Sequence, residues 1–277
     1  MPGHAQSLTE TYPELFANSF DMETGEVLLT ETGARFERES VVCAGSETVF
    51  SNITELIDET LELFPDAPYI HLGGDEVNTG AWAQCPTCRA YMEEHQIHDT
   101  QELFADFLAR ATNYVLAKGK RPIVWEGFHK EYNHLLSKDV IVIGWECHYQ
   151  MPDNLVKAGF EVINCSWKPL YIVSGRLTGM PGWNEADILK WNIYEWQHWW
   201  EKSEATLNPF HLAPTEQIIG AQLCSWCLTY EAEIAAIVVR LAALSEKTWS
   251  VKRCRTDMEF WQQLYNLMSR VFRLIAD

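Results

Sequence analysis

Two adjacent acidic residues, Asp75 and Glu76, are the side chains whose type and spacing best suit acid–base chemistry. They follow a short apolar run, residues 69–72, and then Gly73 and Gly74. Neighbouring side chains on a regular strand point to opposite faces, so both acids can reach one ligand only if the backbone leaves strand geometry just before them. Glycine permits such a bend. The pattern predicts a buried strand that delivers two carboxylates to a cleft; the alternative is a turn followed by solvated acids.

The composition favours a globular protein that binds a neutral ligand. The chain has 277 residues, of which 47% are hydrophobic and 12% aromatic, enough for a sizeable core. A formal charge of -18 disfavours nucleic acid or an anionic membrane as a partner, because both would be repelled. No apolar stretch is long enough to span a bilayer. The twelve tryptophans offer flat apolar faces that suit sugar rings as well as cores.

The eight cysteines are scattered, and several lie inside apolar runs, so they are predicted to be small buried side chains rather than a disulfide framework. This pattern favours a reducing compartment. The N-terminus has no signal-peptide pattern. A cytoplasmic location is therefore expected.

One cysteine pair has the spacing of a metal site. Cys85 and Cys88, followed by His95 and His98, offer four potential zinc ligands, although the two histidines are closer together than in the common finger pattern. The alternative is that the cysteines are loop residues that shape the ligand site. For the active site itself, we expect no metal and no cofactor.

Predicted helices and strands alternate along most of the chain. A capping box at Asn52 predicts a helix that leads into the strand at 69–72, and a second box at Asp99 predicts a helix that ends at Gly119. Further strands are predicted at 122–125, 140–145, 161–165 and 217–226, further helices at 154–159, 185–201, 231–244 and near the C-terminus, and an excursion or hairpin around 26–30 and 36–42. This alternation predicts parallel βα units with buried strands.

Four of these strands carry a notable residue at their C-terminal end. These are Asp75 with Glu76, Trp125 with Glu126, Trp145 with Glu146, and Trp226. Active sites of (β/α)8 barrels are built at that end, but only about five of the eight strands can be identified. The predicted fold is therefore α/β of the (β/α)8 TIM-barrel type, with the first two to three strands missing and residues 1–277 forming the C-terminal portion of one catalytic barrel.

These residues resemble glycoside hydrolase family 20, the β-N-acetylhexosaminidases, over nearly the whole chain. The anchors, in order, are Met1-Pro2-Gly3-His4-Ala5, His71-Leu72-Gly73-Gly74-Asp75-Glu76-Val77, Trp125, Gly144-Trp145, Tyr171 and Ser225-Trp226. The resemblance implies hydrolysis of terminal N-acetylhexosamine from glycans or glycosides by substrate-assisted retaining catalysis.

The resemblance also implies a role for each acid. The substrate's acetamido oxygen would attack the anomeric carbon and give an oxazolinium intermediate, with Asp75 orienting the acetamido N–H. Glu76 would protonate the leaving oxygen and later deprotonate water. An ionised Asp75 and tryptophan walls of low polarity both favour a protonated Glu76, which is consistent with Glu76 as the proton donor.

Five further residues match substrate contacts of the family. Tyr171 matches the tyrosine that hydrogen-bonds the acetamido oxygen. Trp125, Trp145 and Trp226 match the aromatic walls around the N-acetyl group and beneath the sugar. His4 matches a histidine near the catalytic centre, where a supporting hydrogen bond is expected.

The sequence departs from the family pattern at the outer sugar hydroxyls. The chain begins after the position of a family arginine, which predicts that it is a fragment of a longer reading frame. Val173 stands where a carboxylate is common, and Cys227 and Leu228 replace a glutamate; Glu126 and Glu231 are candidate substitutes. The main alternative is a catalytically impaired relative, or an inactive fragment, that still binds N-acetylhexosamines.

Overall fold

The computed structural model describes residues 1–18, 28–29, 35–36, 41–173, 182–226, 228–249 and 256–275. These residues form two compact units, Met1–Val162 and Ile163–Asp277. The single barrel portion predicted for residues 1–277 stays a prediction, as does the absence of its first strands.

The first unit contains most of the parallel strands. Its elements are α1 (Gln6–Thr11), α2 (Pro13–Phe16), β1 (Leu28–Leu29), β2 (Arg35–Phe36), α3 (Glu47–Leu63), β3 (Tyr69–His71), α4 (Gly80–Gln84), α5 (Pro86–His95), α6 (Thr100–Ala117), β4 (Arg121–Trp125), a 3-10 turn (Lys130–Tyr132), β5 (Ile141–Gly144) and α7 (Pro152–Lys157). Strand β6 (Glu161–Asn164) begins in this unit. Strands β1 and β2 pair antiparallel, as the predicted hairpin requires, while much of the segment around them lies outside the described residues.

Strands β3, β4 and β5 pair in parallel, in that order. Every residue of β5 is buried, as its β-branched sequence predicts for a strand covered on both faces. The prediction of a buried strand is wrong for β3, where Tyr69 is 48% exposed. The reason is position, because β3 is the edge of its sheet among the described residues.

The two predicted helix starts have different outcomes. Asp99 caps α6, since its carboxylate accepts hydrogen bonds from the backbone N–H groups of Gln101 and Glu102, which confirms the predicted cap. The reciprocal half of the box is shifted, because the Glu102 carboxylate accepts the N–H of His98 at 2.7 Å. The box at Asn52 is wrong: α3 begins at Glu47, and Ser46 is its cap. Asn52 lies inside the helix, where its side chain donates to the carbonyl of Leu15. The Asn52 side chain, predicted to cap the helix, therefore makes a tertiary hydrogen bond instead.

The second unit holds the later strands and the longest helices. Its elements are α8 (Trp167–Leu170), β7 (Tyr171–Val173), α9 (Glu185–Lys190), β8 (Glu195–Trp196), β9 (Phe210–His211), β10 (Ile218–Ala221), β11 (Cys224–Trp226), α10 (Tyr230–Thr248) and α11 (Asp257–Ile275). Strands β7 and β11 pair in parallel, and β8 and β9 antiparallel. Its core includes Leu170, Ile188, Trp191, Ala243, Leu244 and Phe260. Among the described residues, no helix is both long and apolar enough to cross a bilayer.

The helix predicted over 185–201 is wrong, because α9 ends at Lys190. The Asn164 side chain donates to the carbonyls of Ile193 and Glu195, at 2.8 and 3.0 Å. Those carbonyls are therefore used by a tertiary partner instead of a helical N–H. The strand predicted over 217–226 is likewise two strands, β10 and β11, and between them the Gln222 N–H donates to the Asn164 carbonyl.

Candidate active site

The turn that follows β3 has the bend that the two glycines predict. Gly73 and Gly74 have φ values of 77° and 98°, and Glu76 itself has φ 46°, so the chain leaves strand geometry immediately before and at the acid pair. Gly127, after β4, lies against this turn, and a Cβ there would collide with the Gly74 carbonyl. The backbone of the turn is thus packed directly on the next strand end.

The two acid side chains converge on one histidine. Nε2 of His4 lies 3.3 Å from Oδ2 of Asp75 and 3.3 Å from Oε2 of Glu76. The carboxyl side chains are 23% and 26% exposed, and the imidazole is 42% exposed. Convergence of the pair, which the sequence predicted, is therefore confirmed, and so is the position of His4 beside it.

The segment that carries His4 is fixed by backbone contacts. The Met1 nitrogen donates to the Leu72 carbonyl at 2.6 Å, and the Val42 N–H donates to the Pro2 carbonyl at 3.2 Å. A Cβ on Gly3 would lie 3.0 Å from the Asp75 carbonyl oxygen, so glycine allows the segment to lie flat on the acid turn. These contacts hold the imidazole over both carboxylates.

Charge at this site is balanced by His4. Hydrogen bonds to Asp75 and then to Glu76 raise the pKa of His4 to about 9, so the ring is a cation at neutral pH. Burial pushes the pKa of Asp75 upward, but the hydrogen bond and the charge of His4 outweigh burial and hold this pKa below its ordinary value. Asp75 is therefore ionised at neutral pH.

Two predicted wall residues stand at the ends of the neighbouring strands. Trp125 ends β4, and its backbone N–H donates a hydrogen bond to the Gly73 carbonyl at 2.9 Å. Trp145 follows β5, with its ring centroid 5.3 Å from that of Trp125. Both indoles are more than 90% buried. The structure thus places the pair of rings beside the acid turn.

Glu126 is a buried carboxylate that binds the backbone of the loop after β5. Its two oxygens accept six backbone N–H groups at 3.1–3.3 Å, all donated by residues 145–150. Its backbone carbonyl also accepts the indole N–H of Trp145 at 2.7 Å. Burial raises the pKa of Glu126 to about 7, although these hydrogen bonds oppose the shift. Because Glu126 is fully buried, its suggested substitution for a sugar-binding carboxylate is wrong.

Glu146 is a second buried acid. Burial, followed by the charges of Glu126, Glu76 and Asp75, raises the pKa of Glu146 well above its ordinary value. This shift favours the protonated, uncharged form of Glu146 beside the acid turn. The sequence placed Glu126 and Glu146 at strand ends after tryptophans but gave neither a structural role.

In the second unit, Tyr171 begins β7 and is buried. Its ring stacks on that of Trp167, with centroids 4.1 Å apart and planes at 16°, and its carbonyl accepts the indole N–H of Trp183 at 2.7 Å. Its side chain also hydrogen-bonds the Cys165 thiol. Sequence reasoning missed Trp167, and helical spacing could not have signalled the stack, because Lys168 and Pro169 between the two rings have non-helical backbone angles.

Trp226 lies at the end of β11, in register with Val173 on β7, and is 50% exposed. The apolar Val173 is therefore adjacent to the predicted aromatic wall. Cys227 lies outside the described residues. Glu231, the other suggested substitute, is exposed in the first turn of α10.

The predicted zinc ligands separate. Among the described residues, the one group of three or more potential ligands close enough to share an ion is Cys43, Cys85 and Cys88. His95 instead stacks on Tyr91, with ring centroids 4.0 Å apart. The four-ligand set with His95 and His98 is wrong, and because both cysteines of the pair are fully buried, neither side chain shapes an open ligand site.

Comparison with known proteins identifies the family. The model of the glycosyl hydrolase family 20 catalytic domain matches residues 1–252. The chain belongs to this family. The likeness to family 20 inferred from the Gly-Gly-Asp-Glu turn is therefore confirmed.

Several family 20 relatives are similar to parts of this chain. A β-hexosaminidase of Porphyromonas gingivalis is 33% identical over 126 residues, which are 46% of this chain and 15% of the relative. One of Vibrio furnissii is 25% identical over 230 residues, 82% of this chain and 35% of the relative. The solved β-N-acetylhexosaminidase of Bacteroides fragilis aligns over 99% of this chain and 52% of its own, with TM-score 0.72 and 22% identity.

These matches show the fold class and the share of the relatives' length that this chain covers. The fold is α/β of the TIM-barrel type, as predicted, with parallel strands in both units. The chain spans about half the length of the solved relative, and a smaller share of the two curated relatives.

Proposed function

We propose that this chain hydrolyses terminal β-linked N-acetylhexosamine from glycans or glycosides, with retention of configuration, by substrate-assisted catalysis. The observation that carries the proposal is the convergence of Asp75 and Glu76 on one nitrogen of His4. This pair lies at the carboxyl end of a parallel strand, where barrel enzymes carry their active sites. Membership of family 20 and the β-hexosaminidase names of the relatives support the same activity.

The first step forms a ring within the substrate. The 2-acetamido oxygen bonds to the anomeric carbon while the bond from that carbon to the leaving oxygen breaks. Glu76 donates a proton to the leaving oxygen. Asp75 accepts a hydrogen bond from the acetamido N–H and stabilises the positive charge of the oxazolinium ring.

The second step opens that ring. Water attacks the anomeric carbon, Glu76 accepts a proton from the water, and the acetamide is restored. Two displacements at one carbon give net retention. The low pKa of Asp75 supports its assigned role, because Asp75 must stay ionised throughout. His4 contacts both acids and orients them.

The predicted aromatic contacts complete the proposal. We assign Trp125 and Trp145 to the wall around the N-acetyl group, Tyr171 to the acetamido oxygen and Trp226 to the face of the sugar. The adjacency of Val173 to Trp226 favours a second candidate, an N-acetylhexosamine-binding relative with weakened contacts to the outer hydroxyls. Losing a charged hydrogen bond costs about 1.5–3 kcal/mol, or one to two decades in affinity.

The test is turnover of 4-nitrophenyl N-acetyl-β-D-glucosaminide and the matching galactosaminide by the wild-type chain and by Glu76→Gln. We expect Glu76→Gln to lower kcat/KM by about 10²–10⁴-fold, the usual contribution of a general acid–base group. Glu62→Gln is the matched control, because Glu62 is an exposed acid on α3, and it should leave kcat/KM unchanged.

Binding measured on the same proteins separates the two candidates. Quenching of tryptophan fluorescence by N-acetylglucosamine or N-acetylgalactosamine without turnover would identify a binding protein. Equal turnover by wild type and Glu76→Gln would contradict the proposed mechanism.

A further inference from the structure

Three thiols meet in the interior of the first unit. Sγ of Cys43 lies 3.7 Å from Sγ of Cys85 and 3.6 Å from Sγ of Cys88, and all three sulfurs lie within 4.8 Å of one another. All three residues are at most 1% exposed. The cluster joins a segment before α3 to the start of α5, 42 and 45 residues further along the chain.

The local backbone is built to bring these thiols together. Cys85 is the N-cap of α5 and Cys88 lies in its first turn, so both face the positive end of the helix dipole, which favours thiolates. Gly45 packs against this turn so closely that a Cβ would lie 2.7 Å from the Cα of Cys88. Any larger residue at position 45 would push Cys43 away from the helix.

The spacings match the edges of a metal tetrahedron. Zinc bound to two thiolates at about 2.3 Å each separates their sulfurs by about 3.8 Å at the tetrahedral angle. The two measured separations, 3.7 and 3.6 Å, are within 0.2 Å of that edge, and both are far longer than the S–S bond of a disulfide, about 2.05 Å. We propose that Cys43, Cys85 and Cys88 bind one structural zinc ion as thiolates.

A fourth donor is already aimed at the cluster. Oδ1 of Asn18 lies 3.7 Å from Sγ of Cys88, and a zinc–oxygen bond of about 2.1 Å would give a sulfur-to-oxygen edge of about 3.6 Å. The Asn18 amide is oriented by its other end, because Nδ2 donates to the Val41 carbonyl at 2.8 Å. The carboxamide oxygen of Asn18 is therefore the fourth ligand of the site.

Each cysteine must release its thiol proton when zinc binds, because the thiolate is the ligand form. The free energy of zinc binding then adds to the stability of the fold. Reduced thiols also fit the reducing compartment that the scattered cysteines favour.

The site bears on the acid turn through a short path. Val42, next to Cys43, donates its N–H to the Pro2 carbonyl, two residues before His4, and its carbonyl accepts the indole N–H of Trp82 at 2.9 Å. Zinc would therefore fix the segment that supports His4, together with the loop that leads from Glu76 to α5. The ion itself takes no part in the reaction.

The experiment measures zinc in the full chain, reduced, reconstituted with one equivalent of zinc and freed of unbound metal. We expect about one zinc per chain by mass spectrometry of the metal. Cys43→Ser and Cys88→Ser should each bind zinc at least about 10–100-fold more weakly, the loss seen when even supporting groups of a metal site are removed. Cys165→Ser is the matched control, because Cys165 is a buried thiol that lies 3.5 Å from Cys224, and it should keep the zinc.

A further readout covers variants that fail to fold. Cobalt substituted into the wild-type chain should give thiolate-to-metal charge-transfer absorption. The proposal is overturned if the reduced wild type binds no zinc, if zinc is kept by Cys43→Ser and Cys88→Ser, or if cobalt gives no charge-transfer band.

Discussion

Two pairs of carboxyl groups lie at neighbouring strand ends of the first unit, in opposite environments. Asp75 and Glu76 are about a quarter exposed and share a cationic imidazole. Glu126 and Glu146 are almost completely buried, and their pKa values are raised. Exposure and the available counter-charge therefore separate acids that can meet a ligand from acids that organise loops, although both pairs occupy positions where barrel enzymes place catalytic groups.

The buried pair should matter most for stability. Glu126→Gln leaves three of the six backbone N–H donors of residues 145–150 facing an NH2 group or no acceptor. We expect a loss of about 1–3 kcal/mol in the free energy of unfolding, the cost of leaving buried polar groups without a partner, measured by urea denaturation. A loss below about 0.5 kcal/mol, the range of surface substitutions such as Glu62→Gln, would remove the distinction between the two pairs.

The partly exposed pair, Asp75 and Glu76, should matter most for turnover. Asp75→Asn keeps the shape of the side chain but loses the charge that stabilises the oxazolinium ring. We expect kcat/KM to fall by about 10²–10³-fold, while the free energy of unfolding changes by about 1 kcal/mol or less, because the ion pair is partly exposed. A variant that unfolds as readily as Glu126→Gln would place Asp75 among the structural acids.

These contrasts indicate which parts of the site can be read from a sequence. The Gly73-Gly74 bend, the convergence of Asp75 with Glu76 and the strand-end tryptophans are local, since each follows from neighbours in the chain. The role of Glu126 is not, because its six partners come from residues 145–150 and donate backbone N–H groups, which any residue type except proline can supply.

The errors in the fold have the same origin. Within the helix predicted over 185–201, the carbonyls of Ile193 and Glu195 bind the side chain of Asn164, which lies more than twenty residues before the helix. The exposure of β3 depends on which strands flank it, and the third cysteine of the cluster, Cys43, lies 42 residues before Cys85. Periodicity and capping patterns report local preference, and tertiary hydrogen bonds override it at these positions.

The pH dependence of stability sharpens the comparison further. The pKa of Glu126 is raised from 4.5 in the reference state to about 7 in the fold, so the folded chain retains a proton that the unfolded chain releases. Stability from this group is present below pH 4.5 and is lost as the pH rises to about 7, by about 3 kcal/mol at 1.36 kcal/mol per pH unit.

The direct readout is the carboxyl carbon shift of Glu126 in isotope-labelled protein, titrated by NMR. We expect a midpoint near 7, and its signal is assigned by its absence in Glu126→Gln or, if that variant does not fold, by its hydrogen-bonded partners in residues 145–150. A midpoint near 4.5 would show that the six N–H donors cancel the effect of burial on the pKa of Glu126, and would contradict the expected pH dependence.

Of these changes, substitution of His4 should have the smallest effect on stability, and this effect should vary at higher pH than that of Glu126. Its pKa is raised from 6.5 to about 9, so its contribution is complete below pH 6.5 and is lost as the pH rises through 9. Because the ring is 42% exposed, we expect only about 1 kcal/mol after solvent screening. His4→Asn is the suitable variant, since His4 has φ 50° and asparagine tolerates that region. A stability difference that stays constant from pH 6 to 10 would contradict the cationic bridge.

The central claim is that the substrate's own acetamide is the nucleophile and that Asp75 and Glu76 assist it. The most direct measurement compares kcat/KM for 4-nitrophenyl glycosides of N-acetyl- and N-trifluoroacetyl-glucosamine, because fluorine weakens the attacking oxygen while adding little bulk. We predict a fall of at least about tenfold, equivalent to 1.4 kcal/mol in the barrier, for the trifluoroacetyl substrate. Equal kcat/KM for the two substrates would contradict substrate-assisted catalysis by this chain.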